Sequence, residues 1–264
     1  MSTYVISDIH GCYEQFLLLL EKIRFGADDQ LILAGDAIDR GTGSFEMLKW
    51  MESCPDNVLL LRGNHEEEFA AYTDLMLWFD KKQALGTDKL SNRDTKVLYG
   101  TLQYYFRKNK LRFYFDAYRT MLKLLEQEDA ALDDFCRWSA MIRRMPYFAQ
   151  CSIQDKTCIV VHAGYAERLE EVQSGFSRLE DFYLYARQES IQMGGKQHAV
   201  IVAGHTPTIA EGAFSYNYGN IFRYYDTQKD CVFYDIDCGC SFRNRAPEAK
   251  LACIRLEDEQ FFYV

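Results

Sequence analysis

At 264 residues, with 48% hydrophobic and 15% aromatic side chains, the chain has the composition of a globular domain and not of a disordered or fibrous one. A net charge of −9 excludes broad electrostatic adhesion to nucleic acid or to an anionic membrane surface, because an acidic protein releases no counterions there. The cysteines number nine, an odd count with no C-x-x-C pair, so they read as buried apolar residues in a reducing compartment and not as a disulfide scaffold.

The N-terminal MSTYVISDIHG enters a strand pattern at once, without a basic region or a cleavable apolar stretch, and no later run is apolar enough to span a bilayer. The expectation is a soluble, cytoplasmic protein. Strands are predicted at TYVISD, LILAGD, NVLLLRGN, TCIVVHAG, AVIVAGH and CVFYDIDCG. Their apolar cores are near-continuous, which suits strands covered on both faces. Between the first two runs Tyr13, Phe16, Leu17, Leu20 and Ile23 recur at helical spacing. A second helix is expected from Ser44, read as its N-cap, with Phe45, Leu48 and Met51 inward. Alternating strands and helices open a layered α/β domain.

The segment from 66 to 145 reads as long, aromatic and mainly helical, with Phe69, Tyr72, Leu75 and Met76 on one stripe and breaks at Gly86 and Gly100. It is an insertion in, or a cap beside, a single domain covering residues 1–264. After Pro146, YFAQCSI and TCIVV predict a β-hairpin leading to His162. The C-terminal CVFYDID, KLACIRLED and FFYV read as antiparallel strands closing a sheet.

Chemistry gathers at the strand ends. The stretch GDAIDRG places Asp36, Asp39 and Arg40 in one short loop, and four of the five histidines stand in similar loops: His10, His65, His162 and His205. His198, in GGKQHAV, reads as an ordinary surface histidine. Loops that follow neighbouring strands share an edge, so side chains far apart in sequence converge there. Carboxylates mixed with imidazoles suit manganese, iron or zinc better than calcium. Two such ions, with a bridging carboxylate, can activate water and clamp a phosphoryl group. No G-x-S-x-G and no Gly-rich loop ending in Lys-Ser or Lys-Thr is present, which leaves serine-hydrolase and nucleoside-triphosphate-binding readings without support.

SDIHG, GDAIDRG, RGNHE, HAG and GHT, followed by the DCG of residues 237–239, stand in an order that resembles the phosphoprotein phosphatases, bacterial type, among the calcineurin-like metallophosphoesterases. The resemblance spans residues 8–239. It implies a four-layer α/β/β/α sandwich, with a helical insertion and the metals at one end. It implies further that Asp8 and His10 hold a first metal, Asp36 bridges, and Asn64, His162 and His205 complete a second. The two divalent ions would be manganese, with iron or zinc as alternatives. His65 would be the general acid and Asp39 its partner. Arg40, Arg62 and Arg187 would bind phosphate, with Arg168 and Arg223 as rivals to Arg187.

The activity so implied is a phosphomonoesterase that dephosphorylates serine or threonine in a phosphoprotein or peptide by direct attack of metal-activated hydroxide, releasing inorganic phosphate. The alternative is a symmetrical diadenosine polyphosphate hydrolase, or another small-molecule phosphoesterase with the same metal centre, because TYVISDIHGCYEQ also resembles that branch. A third possibility is a metal-dependent binding module without turnover. The aspartate and arginine of IDRG favour the protein phosphatase, since a serine alkoxide needs protonation more than a phosphate leaving group does.

Overall fold

Alternation along each strand decides what every apolar run covers. In the first, β1 (Thr3–Ile6), Val5 faces one way while Tyr4 and Ile6 face the other, as the two-residue period of a strand requires. A computed structural model describes residues 1–83, 100–101, 103–105, 107–109, 115–127, 130–153, 156–210, 214 and 216–264. The chain forms two compact units, Met1–Asn64 with Met145–Val264, and His65–Arg144.

The first unit carries two five-stranded mixed sheets. In one, β1 lies parallel to β2 (Gln30–Leu33), and β2 parallel to β3 (Val58–Leu60). The other is built on the hairpin of β4 (Phe148–Ile153) and β5 (Lys156–Val161), extended by β6 (Ala199–Ala203). Beyond β6 come β8 (Cys231–Asp235), parallel to it, and β7 (Phe222–Asp226), antiparallel at the edge. The antiparallel pair β9 (Ala252–Arg255) and β10 (Gln260–Tyr263) closes the first sheet beside β1. The sequence reading grouped CVFYDID with those last strands as an antiparallel run. That is corrected: β8 runs parallel to β6 in the other sheet, and FRYYD supplies the antiparallel edge strand that the reading omitted.

Val5, Ile32 and Ile254 of one sheet pack against Val160, Val202 and Tyr234 of the other in a buried core. The opposite faces are covered as well. Ile159, Val161 and Ile201 meet Phe182 and Tyr183 of helix α6 (Leu179–Tyr185). On the first sheet's outer side Tyr4 donates from its hydroxyl to Ile23 O at 3.4 Å, at the end of helix α1 (Tyr13–Ile23). Phe16 of α1 meets Trp50 of α2 (Ser44–Glu52) edge to face at 4.7 Å. Helices, two sheets and helices make the α/β layering that the sequence predicts.

Two local readings change. Helix α1 buries Phe16, Leu19 and Ile23, whereas Leu17 points outward, so the inward stripe is rotated by part of a turn. In α2, Met47 takes a buried place and Phe45 only a half-buried one. Ser44 is the first helical residue and its side chain caps nothing; its hydroxyl accepts from Asp39 N at 3.0 Å.

The second unit is helical, with α3 (Asn64–Gln83) leading into it, then α4 (Phe115–Glu126) and α5 (Leu132–Arg144). Phe69, Tyr72 and Met76 are fully buried, and Phe69 stacks on Phe135 at 6.0 Å. The mainly helical stretch MLKLLEQEDAALDDFCRWSAMIRRM falls into two helices, α4 and α5. The second starts where Asp134 accepts from Ala131 N at 2.9 Å, its side chain reaching back to the amide of the residue just before the helix. Gly86 lies outside the described residues, while Gly100 is helical. Among the described residues no helix is long and apolar enough to cross a membrane.

The rotated stripe of α1 gives a direct test. Phe16→Ala is expected to destabilise the protein by about 3–5 kcal/mol, read from urea unfolding, and Leu17→Ala by less than about 1. The reverse order would place α1 on its other face.

Candidate metal centre

The parallel strands of the first unit are each followed within four residues by a polar side chain, and those side chains lie together. Asp8 and His10 follow β1, Asp36 follows β2, Asn64 follows β3, His162 follows β5, and His205 follows β6. All are buried. The backbone bends sharply to present them: Asp8, His10, Asp36, Asp39, Arg40 and His205 have φ between 48° and 72°. Aspartate and histidine tolerate this left-handed region better than most residues, but each such position still costs on the order of 1–3 kcal/mol. Strain held at one edge by so many chain turns marks a functional surface.

Two glycines permit the approach. Gly35 has φ 87°, and a Cβ there would stand 2.5 Å from Gly63 Cα and 2.9 Å from His162 Nδ1. At Gly204 a Cβ would lie 2.0 Å from Asp8 Oδ2. The glycines of GD and GH are therefore requirements of close packing around the carboxylates.

The hydrogen bonds fix which atoms face inward. Nδ1 of His10 donates to Ile38 O at 3.1 Å, while its Nε2 accepts from a guanidinium N–H of Arg40 at 2.8 Å. That Nε2 lies 3.8 Å from Asp8 Oδ1 and 3.7 Å from Asp36 Oδ2. Nδ1 of His162 donates to Ala34 O at 2.9 Å, which turns its Nε2 lone pair toward Asn64 Oδ1 at 3.0 Å and His205 Nδ1 at 3.2 Å. The other oxygen of Asp36, Oδ1, stands 3.4 Å from the same Nε2. Asp36 thus turns one oxygen to each histidine. Anchoring one ring nitrogen of a histidine on a carbonyl is how metal-binding imidazoles are oriented.

This donor set fits divalent ions. Lone pairs of His162, Asn64 and Asp36 face one another and repel unless a cation stands among them. Ligand atoms of Asp36, His162 and His205 lie within 4.8 Å of each other. Asp8 Oδ1 is buried and makes no hydrogen bond, and a cationic guanidinium already lies against His10 Nε2. Burial, with Asp237 and Asp36 nearby, pushes the Asp8 carboxyl well above the usual range. Burial raises Asp235 likewise, and lifts Asp237 to about 6. Positive charge is what this cluster of buried acids needs.

The remaining predicted residues take distinct places. Asp39 is fully buried and precedes Arg40 in the same left-handed turn. Arg187 donates to His205 O at 3.2 Å. Arg168, by contrast, is held by Glu171 at 3.4 Å, and Arg223 by the Tyr234 hydroxyl at 3.1 Å. Arg62 is buried, donates to the Tyr147 hydroxyl at 3.0 Å and to Met145 O at 3.2 Å, and lies over the Tyr147 ring. His65 follows Asn64 directly and opens the helical unit, where it is buried. His198 pairs with Asp230 at 3.0 Å on the surface. Sequence reasoning passed over Asp235, whose Oδ1 accepts from Asp237 N at 2.9 Å. The only signal was a charged residue ending an apolar strand.

The raised carboxyls set a pH dependence. A carboxyl that holds its proton more tightly folded than unfolded favours the folded state at low pH. It gives up that contribution as pH climbs from the ordinary aspartate value, about 4, through the folded value. For Asp237 the upper limit is about 6. Chelator-treated protein is therefore expected to melt at lower temperature as pH rises across this window. Added Mn²⁺ should reverse the loss at neutral pH, and Asp237→Asn should flatten the slope. A melting temperature indifferent to both pH and Mn²⁺ would contradict the charge balance described.

Comparison with known proteins agrees with this chemistry. A symmetrical bis(5'-nucleosyl)-tetraphosphatase of Buchnera aphidicola subsp. Baizongia pistaciae (strain Bp) is 41% identical over 113 residues, 42% of this chain and 38% of that protein. One of the same name from Buchnera aphidicola subsp. Acyrthosiphon pisum (strain Tuc7) is 52% identical over 67 residues, 25% of this chain and 24% of that protein. The aligned stretches span well under half the length of either relative. A solved metallophosphoesterase from Sphaerobacter thermophilus shares the fold at a TM-score of 0.53 and 13% identity, over 100% of this chain and 88% of that one. The calcineurin-like phosphoesterase family matches residues 1–233, so the chain belongs to that family.

Proposed function

We propose that the chain is a metal-dependent hydrolase that splits dinucleoside tetraphosphates symmetrically. The observation that carries this reading is the 41% identity, over 113 residues, to an enzyme named for that reaction. It reverses the order in which the sequence motifs alone ranked the two substrate classes. Symmetrical cleavage breaks the central P–O–P linkage. Water adds its oxygen to one phosphorus, the bridging oxygen leaves with the other, and two nucleoside diphosphates result.

Asp8, His10 and Asp36 would hold one divalent ion, and Asp36, Asn64, His162 and His205 the other, with manganese as the first choice and iron or zinc as alternatives. When bound, such ions supply Lewis acidity toward phosphate oxygens and water. The protein's own share is orientation and charge. Ile38 O and Ala34 O keep the imidazoles of His10 and His162 in the tautomer that offers Nε2. Arg40, Arg62 and Arg187 are read as the guanidiniums that take the phosphate oxygens, where forked donation fixes both distance and angle. His65 would hand an imidazolium proton to the departing oxygen, with Asp39 favouring its charged form. The helical unit His65–Arg144 is read as an insertion within one metallophosphoesterase domain.

The protein-phosphatase reading retains one specific support. Asp39 beside Arg40 in GDAIDRG suits a leaving group that needs a strong acid partner. Rates in Mn²⁺ on diadenosine tetraphosphate and on a phosphoserine peptide separate the two. A kcat/KM about 10-fold or more higher on the dinucleotide is expected, a difference of roughly 1.4 kcal/mol in transition-state stabilisation. A preference for the peptide would overturn the proposal and reinstate the phosphoprotein as substrate.

A further inference from the structure

A cavity of about 440 Å³ opens in the sheet-bearing unit between the start of α1, the loop after Arg40, and the short turn at Cys240–Phe242. One side chain links it to the metal centre: Arg40 lines the cavity and also donates to His10 Nε2 at 2.8 Å. Arg243 forms another part of the wall and is half-buried. Its Nε is shielded from solvent and has no hydrogen-bond partner, and no carboxylate pairs with its guanidinium among the described residues. With no carboxylate to match it, the guanidinium charge stands unpaired in the cavity wall, where an anion would meet its remaining N–H groups.

The other walls say what accompanies that anion. Tyr13 offers an aromatic ring and Asn244 an amide, while Glu14 and Glu46 line the cavity as exposed carboxylates. Arginines for phosphate, a ring for stacking, an amide for base edges and carboxylates for sugar hydroxyls or an exocyclic amine together describe a nucleoside phosphate. The carboxylates disfavour a long polyanion along that wall. The volume lies within the range of about 300–1,000 Å³ usual for small-ligand sites.

We propose that this cavity seats the nucleoside diphosphate half of the substrate lying away from the attacked phosphorus, with Arg243 as its specificity-determining cation. The choice of ligand rests on the dinucleotide reading above.

The test uses ADP as probe. Its inhibition of para-nitrophenyl phosphate hydrolysis and its calorimetric binding are measured on the metal-loaded protein, with inorganic phosphate as control. Arg243→Ala should weaken ADP by about 10-fold or more, the scale of a lost charge-assisted contact, and Arg243→Lys by less. Phosphate should weaken far less than ADP. If ADP and phosphate weaken alike, or neither changes, the assignment is overturned. If Arg243→Ala lowers the melting temperature, Arg243→Gln takes its place with the same criteria. Cleavage of diadenosine tetraphosphate by the unaltered protein is scored separately. Failure to cleave it, with ADP binding still dependent on Arg243, removes the proposed reaction and leaves the pocket assignment standing. Preference of the cavity for a phosphoserine peptide over ADP, lost in Arg243→Ala, overturns the nucleotide assignment.

Discussion

One carboxylate ties the two sheets together chemically. Asp36 ends β2 and turns Oδ2 toward His10 of its own sheet and Oδ1 toward His162 of the other, at 3.7 and 3.4 Å. That arrangement demands that β2 and β5 end at the same level and that the loops behind them close tightly. The left-handed backbone at Asp8, His10, Asp36 and His205 follows from the demand, as does the absence of a side chain at Gly35 and Gly204. The buried core between the sheets sets their spacing and holds the strained turns in place.

Electrostatics give the same edge its chemistry. The chain is acidic overall, and Asp8, Asp36, Asp235 and Asp237 put further negative charge in its interior. Burying acids this close is unfavourable unless cations join them, which turns a liability of the metal-free protein into affinity for divalent ions. Arg40 and Arg187 stand at the rim, one on His10 and one on the His205 carbonyl. Local positive charge therefore arises at one edge of an acidic molecule, where a phosphate would be drawn.

Much of this was legible in the sequence because strand ends carry their own signals. A continuous apolar run stopping at Asp, Asn or His announced both the strand and the residue it delivers, and the predicted ligands Asp8, His10, Asp36, Asn64, His162 and His205 do lie together. Pairing between strands was less legible. Which sheet CVFYDID joins depends on partners distant in sequence, and periodicity carries no information on that choice. Leu17 and Leu19 are chemically identical, so only packing against β1 and Trp50 decides which faces inward. Ser44 looked like a helix cap because serine favours caps, yet a backbone amide at Asp39 competed for its hydroxyl. Substrate choice was least legible. The candidate metal ligands would serve either phosphoester, and the cavity walls, Arg243 among them, come from three stretches of chain that only the fold assembles.

In the proposed centre Asp36 is shared by two metal positions. Metal content per chain, measured by mass spectrometry after gel filtration in manganese, tests it in wild type and in Asp36→Asn. Two tightly held ions in the wild type and loss of both in the variant are the predicted result, because an amide cannot offer a charged oxygen to each side. Two ions retained by Asp36→Asn would contradict it, and with it the account of why the strands end where they do.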